Sequence, residues 1–236
     1  REFDLSSRIL LAFKLFSLYL GLAFYPAHLS LFRAVPTPQG FFEWQVILGA
    51  ILLAGMALLA WNLRKSHKDI AFGILWYLIS LLPVLNLTLL NAPMMEHWLY
   101  LPMIGLALAF VSAVRIVAER TGEIRGAALG LIFLALLLSV RTFTRNFEWR
   151  DPLKLFAENV ARYPGSYSAW SWLADSMRFR GMWDEAIHAY RRSLAINPNQ
   201  DETWLALGEA LSMAGRDDEA ERILSRSVSM DPRNPW

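Results

Sequence analysis

The chain has 236 residues, 55% of them hydrophobic, and a mean hydropathy of +0.31, an apolar share above that usual for a soluble domain. It contains no cysteine, which excludes disulfides, thiol nucleophiles and Cys-ligated zinc. The formal net charge of +2 is a cancellation: residues 1–145 carry 12 Lys+Arg against 7 Asp+Glu, and residues 146–236 carry 11 against 14, which argues for no nucleic-acid partner.

Five apolar runs reach or approach the roughly 20 residues that a spanning helix needs: Ile9–Phe32, Phe42–Leu63, Ile70–Leu90, Trp98–Ala118 and Gly126–Thr144. The first carries Lys14 near one end and Tyr25-Pro26-Ala27-His28 near the other. Pro26 is expected to kink or end the helix, because it removes a backbone donor and clashes with the preceding turn. His28 then falls near the membrane surface. Arg33–Gly40 reads as a turn-rich connector. The second run has Glu43 and Trp44 at its mouth and ends in R-K-S-H-K-D. Pro83 and Asn86 interrupt the third, and a proline there frees a carbonyl that something else must satisfy. No signal-peptide pattern precedes the first span, so the chain is expected to begin inside a longer protein.

Between the third and fourth runs lies N-A-P-M-M-E-H-W-L-Y-L-P, residues 91–102. It places an acid and an imidazole, Glu96 and His97, next to Trp98 and Tyr100, ring types that favour a membrane–water boundary. It reads as a hairpin re-entering the membrane, in which Glu96 either anchors the turn or contacts a substrate. Basic residues in the short loops set the orientation. Arg1, Arg8, Arg64, Lys65, Lys68, Arg120 and Arg125 fall on one side and Arg33 alone on the other. The N-terminus is thereby expected in the cytoplasm of a bacterial inner membrane, with the Glu96 loop and the C-terminal half outside. Arg141 and Arg145 crowd the exit of the fifth run, where they either snorkel to headgroups or bind a lipid phosphate.

The C-terminal half repeats. Pro164, Pro198 and Pro232 are spaced 34 residues apart, and on that period Trp170 falls on Trp204, Ala174 on Gly208, Gly181 on Gly215, and Tyr190 on Leu224. W-x-x-L-[AG], then G-x-x-x-E-A, a large residue and Pro is the tetratricopeptide pattern of paired antiparallel helices. A half repeat at 149–164 precedes repeats 167–200 and 201–234. In this register one face of the first helices carries Ser168, Ser171, Asp175 and Arg178, then Glu202, Leu205, Glu209 and Ser212. Asp175, Arg178, Glu202, Leu205 and Glu209 are the expected partner-binding groove. The chain is thus expected to be all-α: a multi-pass membrane bundle over 1–145 and a repeat solenoid over 146–236.

L-W-Y-L-I-S-L-L-P-V-L-N (75–86), M-E-H-W-L-Y-L-P-M-I-G (95–105) and Y-P-A-H-L (25–29), leading into W-R-D-P-L, resemble one family. It comprises the transmembrane-plus-tetratricopeptide proteins related to protein O-mannosyltransferases, within the GT-C glycosyltransferases. The resemblance implies a polyprenyl-phosphate sugar as donor and a protein acceptor or partner held by the repeats. It also implies a catalytic acidic loop upstream of residue 1, leaving Glu96 and His97 as supporting residues. His97 stands where the family commonly has Arg. The alternative is a membrane-anchored scaffold without catalysis. The histidines at 28, 67, 97 and 188 show no metal-site spacing, no Gly-rich phosphate loop occurs, and no cofactor is identifiable.

Overall fold

A computed structural model describes residues 5–26, 33, 35–87 and 94–230, with side chains to residue 225. His28, residues 91–93 and Pro232 lie outside the described residues. Those described form ten α-helices and three short 3-10 segments. They divide into two compact units: residues 1–30 with 35–140, and residues 31–34 with 141–236.

The first unit holds α1 (Leu5–Phe24), α2 (Trp44–Leu63), α3 (Lys68–Leu81), α4 (Tyr100–Thr121) and most of α5 (Ile124–Asn146). α1 stops two residues before Pro26, as the missing donor requires. Among the described residues, four helical stretches are long and apolar enough to cross a membrane: Leu5–Phe24, Trp44–Leu63, Glu96–Thr121 and Ile124–Arg150. The third apolar run departs from expectation. α3 has 14 residues, about 21 Å at 1.5 Å per residue, short of a hydrocarbon core of about 30 Å. Pro83 turns the chain into a 3-10 segment, Leu82–Val84, and Asn86 then adopts a left-handed φ of 60°. Asparagine tolerates that conformation better than other non-glycine residues. Apolar composition promised one unbroken spanning helix, and local backbone chemistry ended the helix at Leu81.

Small residues let these helices touch backbone to backbone, the usual device where apolar surface alone gives no drive to associate. A Cβ on Gly73 would lie 2.5 Å from the Gly105 carbonyl oxygen, so α3 and α4 pack main chain on main chain. Gly49 of α2 abuts the Phe13 carbonyl of α1 in the same way. The core around them joins Leu15, Phe16, Tyr19, Tyr77, Leu81, Met94 and Leu99. By contrast α5 buries no side chain along its length.

The second unit contains α6 (Pro152–Arg162), α7 (Tyr167–Arg178), α8 (Trp183–Ile196), α9 (Asp201–Met213) and α10 (Asp217–Met230). The 34-residue period recurs as identical bonds. Trp170 Nε1 donates to the Pro164 carbonyl at 2.9 Å, and Trp204 Nε1 to that of Pro198 at 2.8 Å. Met182 N bonds Met177 O at 3.1 Å, and Arg216 N bonds Leu211 O at 2.9 Å. Each pair closes a helix through a left-handed glycine, Gly181 (φ 72°) and Gly215 (φ 74°). Tyr190, Leu207, Leu211 and Trp204 are buried in this core, with Trp170 packed against it.

Candidate functional site

In the first unit, Glu96 and His97 open a 3-10 turn, Glu96–Leu99, that leads directly into α4. Two contacts fix the turn. Leu99 is buried, and Tyr19 of α1, wholly buried, meets the backbone of Met95. The Met95 N–H donates to the Tyr19 hydroxyl at 3.3 Å, and the Met95 carbonyl lies 3.4 Å from the same oxygen. His97 is exposed, its ring edge-on to Trp98 at 5.9 Å, while Glu96 is half-buried. Close by in sequence to the α3 terminus, Tyr77 has a buried hydroxyl with no hydrogen-bond partner among the described residues.

Sequence reasoning left Lys14 as an impurity of the first run. It is 3% exposed, the tenth residue of α1, and its ammonium sits 2.5 Å from Glu43 Oε1 and donates to the Pro36 carbonyl at 3.0 Å. The connector before α2 therefore folds back onto α1, and the pair keeps two charges neutral in an apolar setting. The sequence signal was present: a lone lysine in an apolar helix demands a partner, and Glu43 is the nearest acid to follow it.

Arg141 and Arg145 lie on the last turns of α5, counted with the second unit. Arg145 is ion-paired with Glu148, one turn on. Glu96 and His97 belong to the first unit. No group of three or more metal-ligating side chains occurs among the described residues.

The groove residues come together on α7 and α9. Arg178 reaches from α7 to Glu209 of α9 at 3.1 Å and lies 3.8 Å from Asp175. Asp175 in turn accepts a 2.6 Å hydrogen bond from the Tyr190 hydroxyl of α8. Burial first, and then that bond, push the Tyr190 phenol well above its ordinary range. Ser171 and Thr203 hydroxyls meet at 3.2 Å between the same two helices. Glu202 stays exposed and Leu205 half-buried beside Glu209 on α9. The one cation of this face is thus spent inside the face, binding two of its own acids, and the surface left over is acidic. Sequence register located these residues but did not reveal that Arg178 is internally consumed.

The paired helices, their glycine-closed turns and the repeated Trp–carbonyl bond define tetratricopeptide repeats. The tetratricopeptide repeat family model matches residues 179–235. This is a protein that carries tetratricopeptide repeats, and such repeats are protein-binding surfaces. The solved structure of MamA AMB-1 is similar at 17% identity, over 75% of this chain and 98% of that one, with a TM-score of 0.35. That score is too low to relate the two as whole folds. No curated protein matches the chain.

Proposed function

We propose that this chain is a membrane-anchored tetratricopeptide scaffold: the apolar unit tethers it, and the α7–α9 face captures a polar or basic extended segment of a partner protein. The observation that carries this reading is the acidic surplus left when Arg178 pairs with Glu209 and Asp175. Such a face attracts basic segments and resists acidic ones. A photo-crosslinking residue at Leu205 in native membranes tests it, with one at Glu185 of α8 as control. Adducts to a single partner at Leu205 but not Glu185 support the scaffold; equal yields from both contradict it. For orientation, we propose that the repeats and His97 share the extracytoplasmic side, with the short third run still crossing. α3 runs antiparallel beside α4, Gly73 against Gly105 and Trp76 against Leu101. Ser66 lines a cavity with Arg115 and Glu119 near the end of α4, whereas His97 precedes that helix. Ser66→Cys should resist, and His97→Cys accept, an impermeant thiol reagent on intact cells; the reverse pattern overturns this.

The second reading, a part of a lipid-sugar-dependent glycosyltransferase, rests on the Glu96–His97 motif. It is supported by the placement of that motif, held at the head of α4 where the Met95 N–H donates to Tyr19, with His97 left exposed. On this reading Glu96 and His97 are supporting residues of the first unit, and Arg141 and Arg145 are candidates in their own right for a lipid phosphate. Glu96→Gln would then abolish transfer while leaving insertion intact, and full transfer by that variant would remove the reading.

A further inference from the structure

The connection between α2 and α3 and the first turn of α3 face the C-terminal half of α4 across a cavity of about 600 Å³. Four cations line it: Lys65, Lys68, Arg115 and Arg120. Two acids, Asp69 and Glu119, oppose them. Glu119 is taken by Arg115 at 3.0 Å. Lys65, Lys68 and Arg120 have no ion pair among the described residues. The remaining balance is therefore three cations against Asp69. His67, at the mouth of α3, makes no side-chain cap bond, so the first-turn amides of that helix add positive potential at the same end.

The surroundings say where such a cavity lies. Trp61, in the last turn of α2, has the Arg64 guanidinium stacked 3.5 Å from its ring centroid, the pairing of an aromatic and a snorkelling cation that marks a membrane boundary. Ile70 and Ile116 lie in the wall itself. Next to it α3 and α4 expose Phe72 and Val117, surface suited to hydrocarbon rather than water. A ligand that fits carries one compact anion at the polar end and alkyl chains running along the helices. A soluble phosphate would use the cations and leave the apolar flank wet.

We propose that this cavity binds the phosphate of an anionic phospholipid headgroup. The inference rests on membrane placement of the apolar unit and is independent of what the repeats bind. Basic pockets between spanning helices select headgroups through the same charge contacts, each cation near an anionic surface contributing roughly a factor of five.

The test uses the full chain, purified in detergent and transferred to nanodiscs, with insertion scored first so that a failure to insert is separate from a failure to select lipid. Native mass spectrometry then counts phosphatidylglycerol retained against phosphatidylcholine. The expected result is selective retention of phosphatidylglycerol by the wild type and a roughly 100-fold weaker hold in Lys65→Gln/Lys68→Gln/Arg120→Gln. Lys65→Arg/Lys68→Arg should retain the lipid. A control of equal charge change in the repeats, Lys154→Gln/Arg162→Gln/Arg222→Gln, should also retain it. Equal retention of the two lipids, or loss in the control as large as in the triple variant, overturns the proposal. So does displacement of the lipid by millimolar glycerol phosphate, which would make the cavity a soluble-phosphate site.

Discussion

Replacing Trp204 by Ala should remove most of the stability of the repeat unit. The side chain is 9% exposed, in a core with Tyr190, Leu207 and Leu211, and its Nε1 donates to the Pro198 carbonyl at 2.8 Å. A buried tryptophan withdraws roughly 150–250 Å² from water, about 4–6 kcal/mol at about 25 cal/mol/Å². Ala retains a fraction of that, and truncations of this size cost about 3–5 kcal/mol. The lost hydrogen bond adds about 1 kcal/mol at most, because Pro198 is exposed and its carbonyl can turn to water. A unit of about 90 residues has only about 5–13 kcal/mol to lose. Urea unfolding of residues 147–236, followed by far-UV circular dichroism, should show the midpoint falling by about 2 M. Trp204→Phe keeps most of the apolar area and should lose only about 1 kcal/mol. A loss under about 1 kcal/mol for the Ala variant, or equal losses for both, would refute the packing argument.

Three further perturbations follow from the same geometry. A Cβ on Gly208 would lie 2.4 Å from Leu224 Cδ2; Gly208→Ala should therefore cost about 1–3 kcal/mol, and adding Leu224→Ala should recover part of it in the same unfolding assay. Lys14→Met leaves Glu43 half-buried without its partner, so thermal stability in detergent should drop by about 3–5 kcal/mol, and Lys14→Met/Glu43→Leu should restore most of it; no recovery would show that the pair does not matter. Asp151 caps α6, accepting from Lys154 N at 3.3 Å and from Arg180 at 2.7 Å. These bonds, the backbone one first, hold its carboxyl below the ordinary range. Because the folded-state value is depressed, its contribution is present above the unfolded carboxylate value and lost as pH falls through the lower folded one. NMR titration should show Asp151 moving towards the ordinary range in Arg180→Gln.

The repeats were legible in the sequence because their constraint is local and periodic. Only glycine suits the left-handed positions at 181 and 215, and only a small residue fits at 208 against Leu224. The length of the third apolar run was misjudged for a physical reason: hydropathy measures transfer into lipid, whereas Pro83 and Asn86 act on backbone hydrogen bonding and ended α3 at Leu81. The Lys14–Glu43 pair and the capture of Arg178 by Glu209 link residues 29 and 31 positions apart. No periodicity specifies such pairings; only the packing of α1 against α2 and of α7 beside α9 brings them within reach. Tyr19, which sets the Glu96 turn, is 76 positions from Met95 and was invisible for the same reason.

The central claim is that the α7–α9 face selects its partner by charge. Fluorescence anisotropy with a lysine-rich 20-residue extended peptide and its glutamate-rich counterpart measures this most directly. The wild-type chain should bind the basic peptide, weakening as salt rises through the range where the Debye length falls below about 10 Å. Glu202→Lys/Glu209→Lys, at two exposed positions of α9, should keep its helix content and reverse the preference to the acidic peptide. Unchanged binding of the basic peptide by the folded double variant would contradict the claim and leave the repeats as a spacer.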